Sequence, residues 1–84
     1  MTIEKGQLVE FFQDDKVRAE GAFPGVPNGH PLTVTDAKYS DDPQYNLDGP
    51  YTIKVRFEED TERYKKGAEV WMDPFFVQIG RQPG

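Results

Sequence analysis

Apolar and polar residues alternate without interruption along Tyr51-Thr52-Ile53-Lys54-Val55-Arg56-Phe57. A period of two is the side-chain repeat of an extended strand, so Tyr51, Ile53, Val55 and Phe57 share one face and Thr52, Lys54 and Arg56 the other. A strand with one apolar and one wet face belongs in an antiparallel sheet, and the β-branched and aromatic residues suit it. Weaker runs predict further strands: Gln7 to Phe12, opened by Gly6, then Leu32 to Tyr39, Ala68 to Met72 and Phe75 to Ile79. Leu32 and Val34 oppose Thr33 and Thr35 in the second of these, and Phe75, Val77 and Ile79 are in phase in the last. Asp73-Pro74 between the last two reads as a single tight turn, because proline cannot donate to a ladder.

Eight glycines and seven prolines separate these runs. Residues 13–31 form a long Gly/Pro-rich connection in which Val17-Arg18-Ala19 reads as a brief extended stretch. A second connection covers 40–50. In a third, 58–67, Thr61 suits the cap of one helical turn, Glu62 and Lys66 are spaced to pair along it, and Gly67 suits its end. No long helix is predicted. The expected fold is all-β: a five-stranded antiparallel small barrel with long loops, a single domain over 1–84. Its ordered core would run from about 5 to 80, with a loose tail at 81–84.

Composition narrows the chemistry. A chain of 84 residues supports one thin core. The absence of cysteine excludes disulfides, thiolate metal sites and a cysteine nucleophile, and a single histidine excludes a histidine cluster. No apolar run approaches membrane-spanning length, and Thr2-Ile3-Glu4-Lys5 does not read as a signal peptide, so a cytoplasmic protein is expected. The net charge of −5 disfavours nucleic acid and favours a cationic partner.

Several segments then resemble the Src-homology-3-like small barrels. Lys5-Gly6-Gln7-Leu8-Val9 is similar to their lysine-glycine-x-x-valine opening, and Tyr51 to Glu58 to their central strand. Asp73-Pro74-Phe75-Phe76-Val77 resembles their last turn and closing strand. The resemblance covers roughly residues 5–80 and implies the fold rather than an activity. The chain departs from the peptide-binding branch in having a Gly/Pro-rich first loop and a lone Trp71. It also lacks the Tudor strand ending phenylalanine-x-aspartate-tyrosine-glycine.

Candidate chemistry gathers in the connections. Asp14-Asp15, Asp41-Asp42 and the group Glu58, Glu59, Asp60 and Glu62 make acidic clusters in all three. Phase assigns Tyr51, Phe57, Phe75 and one of Phe11 and Phe12 to the core. Tyr39, Tyr45, Tyr64 and Trp71, with carboxylates nearby, suit a guanidinium or ammonium held over an aromatic ring. The barrel layout leads us to expect one binding patch of Asp14, Asp15, Asp41, Asp42 and Tyr45, with Phe23 and His30 at its rim, and 58–67 at the other end. Lys54 and Arg56, followed by Arg63, Lys65 and Lys66, offer a weaker basic stripe for nucleic acid.

No cofactor or metal is expected. Gln44 to Gly49 matches a calcium loop only in part, since its first and twelfth positions lack carboxylates, which leaves a looser Asp41, Asp42 and Asp48 set. Ser40 has no base partner in the sequence, so enzyme activity is not expected. The expected function is a non-catalytic protein-interaction module, adaptor-like or inhibitor-like, that docks a basic protein surface. A small accessory subunit of a larger complex is the alternative, and a nucleic-acid-associated barrel using the Lys54/Arg56 face is a third.

Overall fold

The computed structural model describes residues 3–46 and 49–79. Strands β1 (Leu8–Phe11), β2 (Pro31–Lys38), β3 (Thr52–Phe57), β4 (Glu69–Met72) and β5 (Val77–Ile79) form one sheet in the order β4-β3-β2-β1-β5. All neighbours pair antiparallel. Helical structure is limited to α1 (Asp15–Ala19) and to 3₁₀ turns at Pro43–Asn46 and Pro74–Phe76. No helix among the described residues is long and apolar enough to cross a membrane.

The edge strands are consecutive in sequence, which dictates the shape of the sheet. Laid flat at about 4.8 Å per strand, β4 and β5 would be roughly 19 Å apart. The Pro74–Phe76 turn between them rises only about 2 Å per residue. The sheet therefore curls until its edges approach. No ladder joins β4 to β5 among the described residues, so it is curled but not closed.

The curl encloses the core. Val9 and Phe11 of β1, Leu32 and Val34 of β2, Ile53, Val55 and Phe57 of β3, and Met72 of β4 pack together with Ile3 and Val26. The alternation of β3 is met for Ile53, Val55 and Phe57, all at 0% exposure. Tyr51 departs from it and is exposed, because β3 begins one residue later. Its backbone N–H donates to the Lys38 carbonyl at 2.9 Å while its ring projects outward.

Phe75 is also exposed rather than buried. Asp73 caps the 3₁₀ turn by accepting the Phe75 N–H at 2.8 Å, and within that turn the period is three, not two. Phe76 turns inward instead. Its ring stacks 6.2 Å from Phe11 and meets Phe23 edge-on at 5.0 Å. In β2 a bulge between Val34 and Asp36 shifts the register by one residue. Without it Asp36 would follow Leu32 and Val34 into the core. With it Asp36 faces solvent and Ala37 packs inward opposite Ile53.

The first connection is folded rather than extended. Asp14 caps α1, its Oδ1 accepting the Val17 N–H at 2.8 Å, so Val17-Arg18-Ala19 is helical, contrary to the expectation of an extended stretch. Asn28 Oδ1 accepts from the Gln13 N–H at 3.0 Å and from Arg18 Nη2 at 2.9 Å. Arg18 Nη1 reaches the Val26 carbonyl at 3.1 Å, which fixes the loop while Val26 plugs the core. Between β3 and β4 no helical turn forms. Thr61 instead closes a tight turn, its Oγ1 accepting the Tyr64 N–H at 2.7 Å.

Candidate functional site

The register of β2 decides which loops can meet. The chain enters β2 at Pro31 and leaves at Lys38, so the connections before and after it sit at opposite ends. Phe57 pairs with Leu32, so the β3–β4 connection shares the end of the first one. The contacts agree. His30 Nε2 lies 3.1 Å from the Glu59 carbonyl, and its ring tilts against Phe57 at 5.5 Å. Gly25, at φ +82°, passes so close to Glu62 that a Cβ there would stand 3.0 Å from Glu62 Cβ. A cavity of about 260 Å³ between these loops is lined by Pro24, Gly25, Glu62 and Arg63.

The expected patch therefore divides. Asp14 and Asp15 belong to the first connection, Asp14 committed to the α1 cap. Phe23 is half-buried against Phe11 and Phe76, and His30 is buried. Phe23 thus packs on the aromatic cluster, and His30 contacts the β3–β4 loop through the Glu59 carbonyl. Asp41, Asp42 and Tyr45 stand at the other end, in the β2–β3 connection.

At that end a cavity of about 580 Å³ is lined by Tyr39, Ser40, Asp41, Tyr45 and Tyr51. Tyr45 is 70% exposed, Tyr51 58% and Tyr39 45%, so the groove opens to solvent. Its frame is fixed from below. The Asn46 side chain bridges Ser40, with Oδ1 accepting the Ser40 N–H at 2.8 Å and Nδ2 donating to the Ser40 carbonyl at 2.9 Å. The Tyr39 hydroxyl donates to the Ile3 carbonyl at 3.4 Å. Asp42 is occupied locally, accepting from the Gln44 N–H at 3.2 Å and from Gln44 Nε2 at 3.0 Å. Among the described residues the Asp41 carboxylate has no hydrogen-bond or ion-pair partner.

The sequence named Asp41 and Tyr45 but missed Tyr51, whose phase concealed it, and Tyr39 was weighed only as one aromatic among several. Ser40 Oγ accepts the Asp42 N–H at 3.1 Å and has no histidine beside it, since His30 is at the opposite end. Among the described residues no group of three His, Cys, Asp or Glu could hold a metal ion. Asp48 of the looser carboxylate set lies outside the described residues.

The basic face is largely committed within the chain. Lys38 and Lys54 extend over the Trp71 ring, with Nζ at 4.7 and 6.0 Å from its centroid. Arg56 donates through Nε and Nη2 to Glu58 Oε1, both at 3.1 Å, and Thr33 Oγ1 donates to the same oxygen at 2.7 Å. The Thr33 hydroxyl, then the Arg56 guanidinium, hold the Glu58 carboxyl below its ordinary pKa. Trp71, Lys38, Lys54 and Arg56 thus make contacts within the chain on this face.

No protein-family model matches the chain, and no curated protein or solved structure does either.

Proposed function

We propose that this chain is a non-catalytic protein-interaction module built as a Src-homology-3-like small barrel, docking a basic protein surface through its β2–β3 connection. The observation that carries the reading is the solvent-open groove of about 580 Å³ walled by Tyr39, Tyr45 and Tyr51 with Asp41. Tyrosine gives large contact area at low entropic cost, and rim carboxylates on a chain of net charge −5 steer a cationic partner. The barrel reading draws support from the strand order and from the single 3₁₀ turn linking the sheet edges.

The test begins with affinity capture and mass-spectrometric identification of a partner, followed by two charge reversals. Asp41→Lys with Asp42→Lys slows association and flattens its salt dependence, whereas Glu58→Lys with Glu59→Lys leaves both nearly intact. Tyr45→Ala speeds dissociation instead. Loss confined to the Glu58/Glu59 pair would move the docking surface to the opposite end.

A second reading, a small accessory subunit of a larger complex, is favoured by Leu8, Phe12 and Phe75, which are 55%, 42% and 63% exposed. A complex of fixed stoichiometry that is lost on Phe12→Ser or Phe75→Ser, but not on Tyr45→Ala, supports it.

A further inference from the structure

We infer that the tyrosine groove takes one arginine side chain and discriminates against lysine. This inference rests on the docking function proposed above and names the group that the groove recognises.

The argument starts from what is unsatisfied. Asp41 lines the groove and has no partner among the described residues, while its neighbour Asp42 is held by Gln44. Among the described residues no cation pairs with Asp41. Lys38 and Lys54 lie over Trp71, and Arg56 is paired with Glu58. A carboxylate beside exposed phenol rings calls for a cation that satisfies both, by hydrogen bonds to the carboxylate and by stacking on a ring.

Guanidinium and ammonium differ in how well they meet that demand. Guanidinium is planar, weakly hydrated and forked, so it can lie on a ring while two N–H groups reach one carboxylate. Ammonium is compact and strongly hydrated, and it gains from aromatic rings chiefly when they strip its water away. Rings that are 45–70% exposed do not enclose a ligand, so an ammonium would keep its water and gain little. The groove is also pre-set. Asn46 clamps Ser40 on both sides, and the Tyr39 hydroxyl is tied to Ile3, so little ordering remains for the ligand to bring about.

The probe is a short serine–glycine peptide with one central arginine, compared with the same peptide carrying lysine or neutral citrulline. Binding is followed by amide chemical shifts of the ¹⁵N-labelled chain. The arginine peptide is expected to shift the amides of Tyr39, Ser40, Asp41, Tyr45 and Tyr51, to bind roughly fivefold tighter than the lysine peptide, and to leave citrulline without effect. Asp41→Asn and Tyr45→Ala, both at exposed positions, abolish the preference at unchanged melting temperature, and Tyr45→Phe retains it. Equal affinity for arginine and lysine at these amides overturns the arginine inference and leaves the basic-surface reading standing. Shifts confined to 58–68, or none with either cationic peptide, overturn both.

Discussion

Phe75 and Phe76 are adjacent and chemically identical, yet the fold assigns them opposite roles, and replacing each by alanine tests that assignment. Phe76 is half-buried, stacked on Phe11 and edge-on to Phe23. Full burial of a phenylalanine makes its loss cost about 3–5 kcal/mol. Half of that, with about 0.5–1.5 kcal/mol in all for its aromatic contacts, puts Phe76→Ala at about 2–4 kcal/mol. Phe75 is 63% exposed and touches the aromatic cluster only through its edge-on contact with Phe76 at 5.7 Å, so Phe75→Ala should cost less than about 1 kcal/mol. A domain of this size loses about 4–8 °C in Tm per kcal/mol, so the expected falls are about 8–30 °C and under about 8 °C. Total stability at the usual per-residue scale is only about 4–13 kcal/mol, so Phe76→Ala stands close to the limit of folding. Urea unfolding followed by tryptophan fluorescence, with thermal melts by circular dichroism, measures both variants. Equal losses, or the larger loss in Phe75→Ala, would refute the 3₁₀ phase and restore strand alternation from residue 75.

The other predictions concern the core, the acidic residues and metal. Val55→Ala, at a position with 0% exposure, should lower stability by about 1–3 kcal/mol in urea unfolding, and a far-UV spectrum dominated by helix would contradict the sheet. Glu58 has a folded pKa below its ordinary value of 4.5, so the stability it adds is complete above that pH and is lost as pH falls through the lower folded value. The unfolding free energy of Glu58→Gln should accordingly fall less steeply than wild type on acidification below about pH 4.5, and parallel curves would remove Thr33 and Arg56 as the cause. Millimolar calcium should leave Tm unchanged, and a rise of several degrees would indicate a carboxylate site that includes Asp41 and Asp42.

The strands are legible in the sequence because each carries a local pattern that its pairing does not alter. Ile53, Val55 and Phe57 alternate before any partner is known, and Gly/Pro clusters bound the runs. The misplacements occur where one residue changes the period. Thr35 is extra in β2 and moves Ala37, not Asp36, to the inner face. The cap at Asp73 turns a strand start into a 3₁₀ turn and exchanges Phe75 for Phe76. The α1 cap was readable, since Asp14 precedes a run of helix-tolerant residues, but the surrounding glycines and prolines pointed to an open loop. Gln13 left no sign at all. It is buried to 1%, and its amide Nε2 and Oε1 find no hydrogen-bond partner among the described residues.

The candidate site was legible in its residues and not in its grouping, and the reason is parity. Along β1 to β4 the chain reverses at each connection, so the first and third connections share one end of the sheet and the second lies at the other. That rule alone places 12–30 beside 58–68 and sets 39–51 at the end where Met72, opposite Ile53, leads into the Asp73 turn. A long first loop suggests that it could fold back across β2 to meet Asp41. Its length is spent elsewhere: on α1, on Val26 in the core, on Phe23 against Phe76 and on His30 against Glu59. Held by those contacts, the first connection cannot bring Asp14 and Asp15 to the tyrosines. The groove is therefore built from the β2–β3 connection alone, whose described residues supply the three phenol rings of Tyr39, Tyr45 and Tyr51 and the carboxylate of Asp41.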